Sequence, residues 1–173
     1  MSIAVGLSMT AALLAAGAGL AKLASPRTAV AAMRAARLPS SMPLVRATSI
    51  GEAGLGALVL ASASSLPRLA LALVYVAFAW FSVAAIRAGR DTRCGCFGAS
   101  GSVIGWRHVG TDLVLAAGLG AAAAGSGPSA LHLVLVTPSL GAGAVAVALV
   151  SAVLAAAYLS GPIASARTER TDA

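Results

Sequence analysis

Five long apolar stretches leave this chain little choice of solvent other than a lipid bilayer. They run from about Ile3 to Leu20, Ala47 to Leu66, Pro67 to Ile86, Val109 to Ala124 and Leu140 to Leu159. A hydrocarbon core of roughly 30 Å takes about 20 helical residues to cross, and inside it only a helix or a closed barrel satisfies every peptide group. The 173 residues are 59% hydrophobic and 10% charged, more apolar than a soluble core requires. The expected fold is therefore all-α: one polytopic transmembrane helical bundle, with no room for a second domain of useful size. Pro67 suits a helix start. A short apolar segment, Ser129 to Val136, precedes the fifth stretch, and Pro138 either separates the two or kinks one long helix. No Lys or Arg precedes the first stretch and the basic residues follow it, the reverse of a cleaved signal, so it reads as a retained helix.

The formal charge of +7 comes from arginines and a single lysine, Lys22, placed in the gaps and the C-terminal tail. They form no contiguous face interleaved with aromatics. This argues against nucleic-acid binding and for attraction to anionic lipid head groups. Assigned alternately to two sides, the gaps give one side Lys22, Arg27, Arg34, Arg37, Arg46, Arg87, Arg90, Arg93, Arg107, Arg167 and Arg170, and the other only Arg68. The positive-inside rule then places the richer side in the cytoplasm. Within the first gap, Arg27 to Leu38 sets Arg27, Arg34 and Arg37 near one side of a helix, as in a basic helix lying on a membrane surface. Pro39 and Pro43 are expected to break it before the second crossing. Glycine and alanine recur in the crossings, at Gly17-Ala18-Gly19, Gly51 to Gly56 and Gly141-Ala142-Gly143. Such residues either let helices approach closely or reflect compositional bias.

Both cysteines fall in one polar loop, at Cys94-Gly95-Cys96. Two cysteines make no disulfide framework, but a pair one residue apart is a candidate reversible dithiol/disulfide centre. Arg90 and Arg93 before the pair, and Arg107 and His108 after it, would favour the thiolate. Gly95 can adopt the backbone that so small a disulfide ring requires, and Gly98 and Gly101 give the segment freedom to approach a partner's mixed disulfide. A disulfide there is expected to be strained and comparatively oxidising. The rival readings are two inert thiols, or a metal site that would recruit His108. Glu52 is the other conspicuous residue, an ionisable group early in an apolar helix. It is either functional, as a proton relay, or half of an ion pair with Lys22 or Arg46. Asp112 could orient His108, partner Arg107 or sit as a satisfied polar residue near a helix end. Asp91 could cap or pair within the cysteine loop. Trp80, Phe81 and Trp106 read as interface anchors. His132 reads as a packed or interfacial histidine, and no aromatic marks a quinone or haem site unaided. No resident cofactor is evident.

Gly19-Leu20-Ala21-Lys22-Leu23, Glu52, Arg93-Cys94-Gly95-Cys96-Phe97-Gly98 and Trp106-Arg107 together resemble the MauE-like membrane proteins, relatives of the DoxX group. The resemblance implies a redox-associated four-helix membrane core over residues 1–126, with an additional helical region at 127–160 and a polar tail at 161–173. It implies an accessory role of the methylamine-utilisation type, assisting disulfide formation or maturation in a thiol-containing partner protein. Cys94 and Cys96 would be the redox pair, supported by Arg93, Gly95, Phe97, Gly98, Arg107 and His108. Lys22 and Glu52 would be family positions. The expected location is the cell membrane, as a multi-pass protein. The alternative is a non-enzymatic, permease-like or assembly subunit, in which the cysteines make a structural turn.

Overall fold

A computed structural model describes residues 3–35, 37–88, 103–125 and 129–160. Their order is α1 (Ile3–Ala24), α2 (Pro26–Ala35), α3 (Met42–Ala61), α4 (Ser65–Arg87), α5 (Trp106–Ala124), α6 (Ala130–Val136) and α7 (Pro138–Ser160). The fold is the expected all-α bundle. Among the described residues, α1, α3, α4 and the Gly141–Leu159 part of α7 are long and apolar enough to cross a membrane. α5 runs alongside them, but Arg107, His108, Thr111 and Asp112 occupy its first two turns. Its apolar part is correspondingly short.

α1 is central, packed against α3, α5 and α7. Its alanines Ala11, Ala12 and Ala15 meet Leu71 and Tyr75 of α4 and Leu115 and Leu119 of α5 in the main core. Successive long helices alternate in direction. The end of the bundle holding Lys22 therefore gathers the C-termini of α1, α4 and α7, the N-termini of α3 and α5, and all of α2. Lys22, Arg27, Arg34, Arg37, Arg46, Arg87 and Arg107 lie at that end, and Arg68 lies at the other, where it reaches Ala122. Among the described residues, the charge asymmetry read from the sequence is thus reproduced by the fold.

Several boundaries differ from expectation, each for a local reason. α1 continues past Leu20 and carries Lys22 on its last turn. Pro43 opens α3 instead of separating it from the preceding segment. It stands in the first turn, where a missing N–H costs nothing, behind Ser41, whose Oγ accepts from the Leu44 N–H at 3.3 Å. α3 therefore starts at Met42 and ends at Ala61, five residues earlier at each end than the hydropathy suggests. Ser64 then caps α4 by accepting from the Leu66 N–H. Pro138 separates α6 from α7, and Gly141 allows the joint to close. A Cβ on Gly141 would come 2.5 Å from the Leu133 carbonyl oxygen.

α2 is amphipathic as expected, with Ala29 and Ala32 buried and Arg27, Arg34 and Arg37 exposed. Its end is a Schellman turn, in which the Leu38 N–H donates to Met33 O (2.9 Å) and the Arg37 N–H to Arg34 O (3.0 Å). That turn needs a left-handed residue, and Arg37 takes the role at φ 58°. An L side chain there is strained by about 1 kcal/mol relative to glycine. Arg37→Gly is accordingly expected to raise the thermal midpoint of the purified protein in detergent. An unchanged or lower midpoint would contradict the assignment.

Candidate functional site

α3 and α4 follow one another in sequence, yet they pack far less extensively than α1 on α3 or α4 on α5. The cleft left between them, roofed by α2, holds the most unusual chemistry among the described residues. Lys22, from the last turn of α1, donates to both carboxylate oxygens of Glu52, at 2.8 and 2.6 Å. Both side chains are over 90% buried. Of the two candidate partners for Glu52, Lys22 is the one that pairs with it, and not Arg46. The ammonium also sits 4.8 Å from the centroid of the Phe78 ring, a favourable cation–π distance. Phe78 meets Tyr75 edge-on at 6.1 Å, and the Tyr75 hydroxyl donates to Ala11 O at 2.8 Å. This chain of contacts ties α4 to α1 and fixes the ring that covers the cation.

The pair lines a cavity of about 270 Å³ whose other walls are Ala29, Ala32, Met33 and Leu38 from the α2 region, Val45 and Thr48 of α3, and Ala77, Phe78, Trp80 and Phe81 of α4. Trp80 stands at its rim, 63% exposed. The sequence does not reveal this cavity, because its walls come from separate segments that only tertiary packing brings together. The one legible trace is the spacing of Ala77, Phe78 and Phe81 on one side of α4.

Cys94 and Cys96, with Arg93, Gly95, Phe97, Gly98 and Asp91, lie outside the described residues. The flanking residues are described. α4 ends at Arg87, and Ile104, on the return, is buried against Ala85 in a cluster shared with Leu38, Phe81 and Ile86. The described residues on either side of the cysteine segment, up to Arg87 and from Ile104, thus lie at the Lys22 end. Leu38 and Phe81 belong both to that cluster and to the cavity wall.

Arg107 and His108 take up positions at helix termini. The Arg107 guanidinium donates to Tyr158 O (3.0 Å) and Leu159 O (3.4 Å), and stacks 5.5 Å from the Tyr158 ring. A cation at the carbonyl end of α7 satisfies acceptors that the helix leaves open and complements its dipole. It also fastens α7 to the core. His108 is buried, and its Nδ1 accepts from the Gly105 N–H at 3.2 Å, capping the first turn of α5. The accepting nitrogen carries no proton in this arrangement, which places the imidazole proton on Nε2. At the opposite end Arg68, buried, donates to Ala122 O in the last turn of α5 (3.0 Å). Among the described residues no three His, Cys, Asp or Glu side chains converge as a metal site. Trp106, like Trp80, is largely exposed, as an interface anchor would be. His132 is exposed on α6.

Apolar helices arranged around a buried ion pair, with most of the described cations at one end, define a multi-pass membrane protein. A family model described as methylamine utilisation protein MauE matches residues 1–126, and the chain belongs to that family. No curated protein and no solved structure matches the chain.

Proposed function

We propose that the chain is a membrane accessory protein in which Cys94 and Cys96 alternate between dithiol and disulfide, supporting disulfide formation or maturation in a partner protein of the methylamine-utilisation type. The observation that carries this reading is the Cys-Gly-Cys sequence itself, set between basic residues in a segment whose described flanks lie at the cationic end of a MauE-family bundle. Neighbouring cations raise the thiolate fraction, and the thiolate is the reacting species. In the oxidising direction, a partner thiolate attacks one sulfur of the Cys94–Cys96 disulfide. One S–S bond breaks as the mixed disulfide forms. A second partner thiolate then attacks that mixed disulfide, leaving the partner oxidised and Cys94/Cys96 as a dithiol carrying two electrons and two protons.

By the positive-inside rule the end with the cysteine segment faces the cytoplasm. The protein then exchanges electrons with thiols on that side, or the segment is reached from both sides. Trapping tests the chemistry. Cys94→Ser should accumulate a mixed disulfide through Cys96, or Cys96→Ser through Cys94, visible as a reductant-sensitive adduct in host membranes. If neither variant traps a partner or loses function, the redox assignment falls.

The buried Lys22–Glu52 pair favours a second reading, in which the protein acts through its helices as a permease-like or assembly subunit. On that reading the double Cys→Ser chain keeps activity, and Glu52→Gln loses it while remaining folded.

A further inference from the structure

The cleft between α3 and α4 differs in kind from a larger cavity among the described residues. That one, about 390 Å³ between α1, α3, α6 and α7, is lined by Met9 and aliphatic side chains with no charged group, and an acyl chain or detergent tail would fill it without selectivity. The smaller cleft, about 270 Å³, has a buried ammonium and carboxylate in its wall and three aromatic rings beside them. Its size is near the lower limit for small-molecule sites and suits one substituted six-membered ring. Its charge is equally selective. Lys22 and Glu52 neutralise each other, so an anion or a cation entering this apolar space would lose its hydration without gaining a counter-charge. A neutral molecule with oxygen atoms incurs no such penalty. The carboxylate accepts a bond from a hydroxyl, and the ammonium attracts a carbonyl oxygen.

We propose that this cleft binds a neutral, ring-bearing, membrane-soluble amphiphile of the quinone/quinol class. The ring lies among Phe78, Trp80 and Phe81, its oxygen meets the Lys22–Glu52 pair, and its tail leaves past the exposed rim at Thr48 and Ala77. Planar rings stack favourably on aromatic walls, and an apolar tail is at home in the surrounding lipid. Occupancy would be felt at the cysteine segment, because Phe81 and Leu38 form one wall of the cleft and also seat Ile104.

Binding stands without the redox reading. Where that reading also holds, the ligand is the oxidant for the pair. The Cys94/Cys96 dithiol gives up two electrons and two protons as its S–S bond forms, and the quinone takes both to become the quinol.

Trp80 is a built-in reporter. The chain has two tryptophans, so Trp106→Phe leaves Trp80 alone at the cleft rim. In nanodiscs, a decyl-tailed ubiquinone analogue should quench its fluorescence saturably. Half-saturation should move about tenfold higher in Ala77→Phe, which narrows the exposed rim, and in Ala32→Phe, which fills the interior. Equal molar oleate should not compete. The same titration with both cysteines replaced by serine should give the same half-saturation, which separates this test from that of the redox reading. Quenching that rises linearly with quinone per lipid and is unchanged in Ala77→Phe would overturn the proposal. Displacement by oleate as effective as displacement by the quinol would overturn it too.

Discussion

Glu52→Leu is expected to destabilise the bundle by about 3–5 kcal/mol, because it leaves the Lys22 ammonium buried without its counter-ion. Phe78 remains beneath the cation, but a ring face does not replace a carboxylate. The informative comparison is the double variant Lys22→Met with Glu52→Leu. Replacing a whole buried pair by apolar side chains of similar size is often neutral or stabilising, since both desolvation costs disappear together. The double variant should therefore recover most of the lost stability in a thermal or denaturant titration in detergent. If it is as unstable as the single variant, the pair is not the source of the effect. The same double variant should bind the quinone analogue poorly while remaining folded, so stability and ligand binding are read separately.

A second large effect should appear at Gly56 and be absent two residues away. A Cβ on Gly56 would come 2.5 Å from the Ala12 carbonyl oxygen and 2.9 Å from the Ala16 nitrogen, and reciprocally a Cβ on Gly19 would come 2.6 Å from Ser49 O. These obstacles are backbone atoms of the facing helix, which no rotamer change can move. Gly56→Ala must push α1 from α3, and its overpacking cost of about 1–3 kcal/mol should exceed the propensity gain of about 1 kcal/mol. A Cβ on Gly54 would meet nothing within 4 Å. Gly54→Ala is therefore expected to be neutral or mildly stabilising. Equal responses at the two sites would mean that α1 and α3 do not approach as closely as described.

This contrast also marks how far the sequence could be read. Periodicity and hydropathy locate the crossings and the amphipathic α2, because burial in lipid and burial in a core both depend on apolar content. They cannot say which glycines matter. Gly17, Gly51, Gly54 and Gly143 face open space, whereas Gly19, Gly56 and Gly141 lie against backbone. Close approach of helices therefore accounts for some of these glycines and not for others. Glu52 was legible as anomalous, and Lys22 as one of two partners. The choice over Arg46 depends on the antiparallel register of α1 and α3, which brings the last turn of α1 beside the middle of α3. Arg107 and His108 were legible as polar residues near the cysteines. Their bonds to the end of α7 and to the Gly105 N–H depend on contacts that sequence distance does not encode. The cleft itself was invisible for the same reason.

Whether Cys94 and Cys96 interconvert between dithiol and disulfide can be read from their labelling in native membranes. Membranes should be quenched in acid and alkylated with a mass-shifting maleimide, with and without prior reduction, and the intact chain then weighed. After mild oxidation the account expects no label before reduction and two labels after it, reversing with the redox poise of the medium. Two labels under every oxidant tried, with no change on reduction, would contradict it.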